Sequence, residues 1–160
     1  IGSHVMFSAD PEVTELVSKI PVFQEREHED KMPSFFSDLQ LNYQYFWKIC
    51  RPEGYMKIRT ASEIVYSLYR MVLQENRILF PCNRRLEEFV KSAPDQPEHM
   101  VEYCEEFCRT LEDEAVDKAV ETWMNWTKYD YPKDTAICQS RYCADFEQWW
   151  REPRPLIAEW

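Results

Sequence analysis

Apolar residues recur along this chain at intervals of three and four, the spacing that places side chains on one face of an α-helix. The clearest case is the segment FFSDLQLNYQYFWKIC, whose periodic apolar positions are Phe36, Leu39, Tyr43, Phe46, Trp47 and Cys50. A second such face runs through residues 57–79 and includes Ile64, Leu68 and Met71. Both patterns predict helices that bury one side against the rest of the protein.

Capping residues and prolines set the limits of the predicted helices. Asp10 followed by Pro11 is typical of a helix start, because Asp accepts a hydrogen bond from the first turn and Pro is favoured at the first helical position. Ser34 and Asp134 are predicted to cap two further helices, and the charged stretch QEREHEDKMP before Ser34 is predicted to be a solvated loop or extension. The predicted helices cover about residues 10–19, 34–50, 57–79, 83–91, 96–127 (with a bend allowed near 111–114) and 134–150.

These segments predict an all-α fold, an up-and-down bundle of five or six helices with short connections punctuated by proline. The bundle is predicted to be a single domain over residues 10–150. Residues 1–9 are interpreted as a linker, a tag remnant or the end of a preceding domain. Residues 151–160 are interpreted as a C-terminal tail, because their two prolines cannot continue the last helix.

Glycine content narrows the range of functions, because the 160-residue chain has only two glycines, Gly2 and Gly54. Phosphate-binding loops and dinucleotide fingerprints need glycine where the backbone approaches a ligand or takes a positive φ. The chain also has no GxSxG or HExxH motif. Its start, IGSHVMFSADPEV, leaves too few residues between Ser3 and Asp10 for the metal-binding turn of a nucleotidyltransferase. No catalytic residue and no metal ligand is therefore predicted.

The charge balance bears on partners and location. The formal net charge is −10, from 29 acidic and 19 basic residues. Because a nucleic-acid-binding domain usually has a basic surplus, no extended nucleic-acid face is predicted, although a local cationic pocket is compatible with this charge. The sequence has no run of 18 apolar residues and no signal peptide. We therefore expect a cytoplasmic location without membrane association.

The six cysteines lack the CxxC spacing of zinc sites. Cys104 and Cys108 fall on the apolar stripe of their predicted helix, which favours buried thiols over a zinc site or a disulfide framework. Two tryptophan pairs have alternative interpretations. They either stack on a base or an aromatic ligand, or they belong to the core or to an interface. These pairs are Trp123 with Trp126 and Trp149 with Trp150.

Polar and cationic residues crowd the connection between the third and fourth predicted helices, in the segment LQENRILFPCNRRLEEFV (residues 73–90). Asn76 lies near the end of one helix, and Arg84 and Arg85 lie in the first turn of the next. The helix dipole disfavours cations at that position by about a few tenths of a kcal/mol. Either neighbouring glutamates offset this as surface ion-pair partners, or an anionic ligand such as a triphosphate does. Residues 76–85 are called the corner below.

The segment RTASEIVYSLYRMVLQENRILFPCNRRLEEFVKSAPDQPEHMVEYCEEF (residues 59–107) resembles the helical C-terminal domain of bacterial nucleotidyltransferase-fold proteins of the aminoglycoside-modifying kind. In those domains a helix ends in Asn, an aromatic-Pro step follows, and a basic residue opens the next helix. Residues 1–20 similarly resemble the exit from the catalytic domain of such a protein. The catalytic Gly-Ser and acid-x-acid elements are missing here, so the resemblance implies a substrate-binding or accessory domain. The matching positions are Asn76, Phe80-Pro81 and Arg84-Arg85.

The resemblance implies that a small polar substrate binds between this bundle and a catalytic nucleotidyltransferase domain, in the same chain or in another. The candidate substrate-binding residues are Asn76, Arg77, Arg84, Arg85, Tyr66, Tyr69 and Arg70. No cofactor is expected in this chain, and Mg²⁺ with a nucleoside triphosphate is implied only if a catalytic domain is present elsewhere. One alternative is a protein-interaction bundle without a small-molecule role, with the tryptophan pairs and the tail as its interface. Another is a helical hydrolase that binds metal through clustered acids.

Overall fold

Seven α-helices account for most of the structure, a computed structural model that describes residues 5–151. No strand occurs within that range, so the predicted all-α fold is confirmed, with seven helices where five or six were predicted. Residues 1–4 of the predicted linker and residues 152–160 of the predicted tail lie outside the described range. The helices are α1 (Pro11–Lys19), α2 (Glu25–Gln40), α3 (Gly54–Glu75), α4 (Leu86–Lys91), α5 (Met100–Thr110), α6 (Asp113–Trp126) and α7 (Thr135–Tyr142).

Two of the helices continue into wider π-helical turns. α2 runs on as Leu41–Ile49 and α7 runs on as Cys143–Glu147, called the first and second π segments. The backbone bonds at their ends span five residues, as a π-helix requires. The amide of Cys50 donates to the carbonyl of Tyr45 over 2.9 Å, and that of Gln148 donates to Cys143 over 2.8 Å. Short 3₁₀ turns, Asn83–Arg85 and Trp149–Arg151, precede α4 and follow the second π segment.

The start of α2 differs from the prediction. The charged stretch predicted as a loop is helical from Glu25 onward, and the helix passes through Pro33. Acidic residues in its first turn favour the positive end of the helix dipole, and Lys31 pairs with Glu27 one turn away over 2.8 Å. Because a proline removes only one backbone donor, these local interactions and the burial that follows keep the helix continuous. Ser34 is therefore a buried helical residue, and the prediction that it caps the helix is wrong.

Two residues with left-handed backbone conformations end helices earlier than predicted. Leu111, with φ 53°, splits the predicted helix over 96–127 into α5 and α6, at the place where the sequence allowed a bend. Arg77, with φ 56°, stops α3 at Glu75, and the amide of Ile78 then donates to the carbonyl of Leu73 over 2.9 Å. This reverse bond is typical of a helix C-terminus that ends in a left-handed residue. Neither stop is a glycine, so the sequence offered no standard signal for either.

The hydrophobic core lies where α2 and the first π segment pack on α3, with α5, α6 and α7 around them. Aromatic rings fill much of it: Phe36 lies 4.7 Å from the ring centre of Tyr131, and Trp47 lies 4.9 Å from that of Phe107. Helix α1 contributes nothing to this core, because none of its residues is buried. Within residues 5–151, no helix combines the length and apolar character needed to cross a membrane.

Candidate functional site

A row of polar side chains runs through the otherwise apolar contact between α2 and α3. The α2 side contributes residues four positions apart along one helical face, which continues into the first π segment. The α3 side contributes residues seven positions apart, so that they too share a face. All of them are buried, and we call this set the polar seam. Its members are Ser34, Asp38 and Asn42 on one side and Thr60, Ser67 and Gln74 on the other.

Asp38 is the charged member of the polar seam, and only 4% of its surface is exposed. Its carboxyl group accepts a hydrogen bond from the Asn42 side-chain amide over 2.9 Å and another from the Ser67 hydroxyl. No Lys, Arg or His side chain among residues 5–151 forms an ion pair with it. A buried carboxylate without a cationic partner is energetically costly unless it takes up a proton.

Burial is the main cause that raises the pKa of Asp38, to about 7. The nearby carboxylate of Glu63 also raises the pKa, while the hydrogen bonds from Ser67 and Asn42 and the charge of Arg59 lower it. Desolvation outweighs the donors because it acts on the whole charge. The carboxyl group is therefore poised to gain or lose a proton near neutral pH.

Asp38 and Asn42 lie on the wall of a cavity of about 390 Å³ that opens to solvent. This volume falls in the range of about 300–1,000 Å³ that is usual for small-molecule sites. We call it the Asp38 cavity. Most of its polar residues come from the polar seam and the first half of α3, and its aromatic residues come from both π segments and α7. The lining residues are Asp38, Asn42, Phe46, Met56, Arg59, Thr60, Glu63, Tyr142, Phe146 and Glu147.

Both π segments contribute to the Asp38 cavity. Phe46 comes from the first, and Phe146 and Glu147 come from the second. Tyr142 stacks on Phe146 with ring centres 5.3 Å apart, which gives the cavity an aromatic side. Because a π turn changes the direction of the side chains that follow it, such turns are frequent at functional sites. Both π segments thus lie at the Asp38 cavity.

Arg141 holds this aromatic wall against the rest of the bundle. Its guanidinium donates to the carboxylate of Asp30 over 2.8 Å and to the hydroxyl of Ser34 over 2.9 Å, and it also pairs with the buried Asp145. Asp145 in turn accepts a hydrogen bond from Ser34. These contacts join α7 and the second π segment to α2, so the position of Tyr142 and Phe146 depends on them.

The predicted site residues at the corner are largely engaged within the protein. The Asn76 side chain donates to the carbonyls of Val72, over 2.8 Å, and Asp95, and accepts from the Asp95 amide over 2.9 Å. Arg77 donates to the carboxylate of Glu25 over 2.9 Å and to the carbonyl of Gln74 over 2.9 Å. These two residues fasten the end of α3 to a loop and to α2.

Arg84 and Arg85 are exposed and lie in the 3₁₀ turn before α4. Arg85 forms a two-pronged ion pair with Glu88, with distances of 2.9 and 3.0 Å. This pair raises the pKa of Arg85 and lowers that of Glu88. The sequence allowed two kinds of partner for these arginines, a neighbouring glutamate or an anionic ligand. Arg85 has the first kind. Arg84 has no ion-pair partner among residues 5–151.

The three remaining predicted site residues lie in the protein interior. Arg70 is fully buried, donates to the hydroxyl of Tyr66, and has its guanidinium 4.4 and 4.0 Å from the ring centres of Phe35 and Phe80. Tyr69 is buried beside Cys104, and burial raises the pKa of that thiol. None of these three lines the Asp38 cavity.

The corner and the Asp38 cavity lie at opposite ends of α3. At about 1.5 Å of rise per residue, Glu63 and Asn76 are about 20 Å apart along the helix. One small ligand cannot span that distance, so the corner and the cavity are separate places.

Sequence reasoning missed the Asp38 cavity, although a signal for it exists. Ser34, Asp38 and Asn42 recur at intervals of four on the side of the helix that carries Phe35 and Leu39. Polar residues that keep helical register beside a strongly apolar face have to be buried with it, or disrupt it. The prediction that Ser34 caps the helix hid this pattern, because it gave the first member a local role at a helix start.

The cysteines and the tryptophan pairs differ in their burial. All six cysteines are unpaired thiols, with Cys104 and Cys138 buried and Cys50 and Cys108 exposed. No group of three potential metal ligands occurs among residues 5–151. Trp123 is in the core, while Trp149 and Trp150 are exposed.

Comparison of the chain with protein-family models, curated proteins and solved structures found no match.

Proposed function

We propose that this chain is a helical substrate-binding domain that holds a small polar organic molecule in the Asp38 cavity. The observation that carries the proposal is a buried carboxyl group, without a cation, on the wall of an open cavity with one polar and one aromatic side. Ligand sites commonly combine such an apolar wall with a few convergent polar groups.

The energetic cost of the polar seam supports this function. A leucine of similar size at Asp38 would pack with its apolar neighbours, and burial of a carboxyl group forfeits that stabilisation. Protein interiors keep such groups chiefly where they specify structure or act on a ligand. Asp38 borders a space that a ligand can enter, which favours the second role.

The resemblance over residues 59–107 gives this domain its proposed setting. In that setting the bundle is the accessory, substrate-side domain of a nucleotidyltransferase-like protein, and Mg²⁺ and a nucleoside triphosphate belong to a catalytic domain in the same or another chain. The corner then lies on a surface available to that domain, with Arg84 and Arg85 exposed. The Asp38 cavity holds the substrate.

Blocking the cavity tests the proposal. Met56 lines the cavity and is 42% exposed, so Met56→Trp fills the space with little change to the core. Ile58→Trp places the same ring on a nearby exposed residue that does not line the cavity. Binding is measured from amide chemical shifts in a screen of small amines, alcohols and carboxylates.

We expect a subset of these compounds to shift residues around the cavity in the wild type and in Ile58→Trp, but not in Met56→Trp. If no compound class shifts cavity residues, or if Met56→Trp binds as the wild type does, the cavity is not a binding site.

A protein-interaction role is the second candidate, because α1 carries an apolar row that the bundle leaves uncovered. Val13, Leu16 and Ile20 lie on successive turns and are 40%, 62% and 52% exposed. A helix with such a row is typical of one that packs on another surface. Under this function the cavity would remain empty, so the screen above also separates the two candidates.

A further inference from the structure

We infer that the Asp38 cavity selects an organic cation, a primary ammonium group on an apolar body, and that this cation displaces a proton from Asp38 as it binds. The inference rests on the proposed function, and it adds the class of ligand and a proton linkage.

The charges around the cavity define the class of ligand. Among residues 5–151, three carboxyl groups line it, those of Asp38, Glu63 and Glu147, against a single guanidinium, that of Arg59. Arg59 lies 3.9 Å from Glu63, a long ion pair on an exposed side chain. When Asp38 is ionised, the lining therefore has a surplus of negative charge that an anion cannot approach and a cation can offset.

The aromatic wall fits the body of such a ligand. Tyr142 and Phe146 are stacked, and Phe46 lies 6.5 Å from the ring centre of Tyr142. Aromatic faces attract both apolar groups and nearby cations. Two of the three carboxyl groups, those of Asp38 and Glu63, come from α2 and α3, whereas the rings come from α7 and the two π segments. The cavity therefore offers the ammonium group a place beside Asp38 and the apolar body a place beside the rings.

Proton linkage follows from the burial of Asp38 and from its hydrogen-bond donors, which are uncharged. Asn42 of the first π segment and Ser67 of α3 are its hydrogen-bond donors, and both are neutral. From α3 the groups that face it are Arg59, Glu63 and Tyr66, and from α7 it faces Tyr142.

Burial raises the pKa of Tyr142 to about 12 and also raises that of Tyr66, so both phenols are neutral near pH 7. With the cavity empty, burial therefore lets Asp38 hold a proton up to about neutral pH. An ammonium group beside it stabilises the ionised form, and the proton leaves to solvent through the open cavity.

Benzylammonium chloride is a suitable probe, with benzyl alcohol and benzoate as neutral and anionic analogues of similar size. Affinity is measured from amide shifts at pH 6, 7 and 8, where benzylammonium stays protonated. We expect benzylammonium to bind about tenfold more tightly at pH 8 than at pH 6, because Asp38 is mostly protonated at the lower pH. At pH 8 we expect benzyl alcohol and benzoate to bind more weakly than benzylammonium does.

The Asp38 carboxyl carbon reports its ionisation directly in ¹³C-labelled protein. We expect its titration midpoint to fall to lower pH when benzylammonium is added, and not when benzyl alcohol is added. Asp38→Asn should remove the pH dependence of affinity, while Asp130→Asn, an exposed carboxylate elsewhere, should leave it unchanged.

Glu63→Gln, at a half-buried position on the cavity wall, provides a second variant if Asp38→Asn does not fold. It should weaken benzylammonium binding yet keep its pH dependence. The inference is overturned if benzyl alcohol or benzoate binds as tightly as the amine, or if the Asp38 midpoint does not move. If those analogues bind and Met56→Trp blocks them, the proposed function survives without its cationic ligand.

Discussion

The hydroxyl group of Ser67 on α3 donates a hydrogen bond to the carboxyl group of Asp38 on α2, inside the bundle. This contact ties together the two helices that form the centre of the core. It also fixes the one seam residue whose charge can change near neutral pH. Packing and proton uptake are therefore coupled at this position, and stability should report on both.

Asp38→Asn should change the pH dependence of stability. Because the pKa of Asp38 is raised to about 7 in the folded state, the native protein retains a proton that the unfolded chain has already lost between about pH 4 and pH 7. The native state then binds more protons, so the wild type loses stability as pH rises through that window. From pH 5 to pH 8 the loss attributable to Asp38 should be about 2 to 3 kcal/mol.

Urea unfolding of wild type and variant at pH 5 and pH 8 measures this difference. Asp38→Asn should gain on the wild type as pH rises, because an amide has no proton to lose. The exposed variant Asp130→Asn should follow the wild type. An Asp38→Asn protein whose stability falls with pH as steeply as that of the wild type would show that Asp38 is ionised at both values.

Arg141→Lys should loosen the aromatic wall of the Asp38 cavity. A lysine keeps the charge but cannot reach Asp30, Ser34 and Asp145 together, as the planar guanidinium does. Loss of these bonds should lower the free energy of unfolding by about 1–3 kcal/mol. Amide hydrogen exchange should show the largest loss of protection in α7.

Arg109→Lys is the matched control, since Arg109 is an exposed residue of α5. It should leave both stability and exchange unchanged. Equal protection of α7 in wild type and Arg141→Lys would mean that apolar packing alone holds this helix in place.

Asn76→Ala should destabilise the protein. The side-chain amide of Asn76 bonds to both the backbone amide and the carbonyl of Asp95, and these bonds are lost in the variant. We expect a loss of about 0.5–1.5 kcal/mol in urea unfolding. Asn125→Ala, at an exposed position of α6, should cost much less. A similar small cost at both positions would mean that water replaces the Asn76 bonds.

The helical pattern could be predicted because burial leaves a periodic trace in the sequence. The apolar face from Phe36 to Trp47 and the caps at Asp10 and Asp134 are local signals, and the structure contains both side-chain caps. The stop at Arg77 was not predictable in this way, and at Leu111 only a bend was predicted where the helix ends. Both take a left-handed conformation that usually marks glycine, so tertiary contacts decide them.

The cavity depends on residues far apart in the sequence, which explains why it escaped prediction. Asp38 meets Ser67 across 29 positions, and Ser34 meets Asp145 across 111. Each of these residues has an ordinary meaning locally, as a cap or a solvated helix position. The corner was predicted as a site because its polar residues are close together in the sequence. In the structure, Asn76 and Arg77 bond to other residues of the protein.

Arg84→Ala combined with Arg85→Ala tests the predicted role of the corner. Both residues are exposed, and only Arg85 has an ion-pair partner, Glu88. Because exposed ion pairs add little to stability, the double change should leave the urea unfolding midpoint nearly unchanged. If the corner receives the anionic part of a substrate, the variant should lose affinity for tripolyphosphate, measured by calorimetric titration at low salt.

Binding at the Asp38 cavity supplies the internal control for this variant. The cavity lies about 20 Å from Asn76 along α3, so its affinity for benzylammonium should not change when measured at about 0.15 M salt, where the Debye length is about 8 Å. Lys91→Ala, which removes a nearby exposed cation outside the corner, corrects for the general loss of positive charge. Equal tripolyphosphate affinity in the wild type and the double variant would remove Arg84 and Arg85 from the substrate site, and leave the Asp38 cavity as the site to pursue.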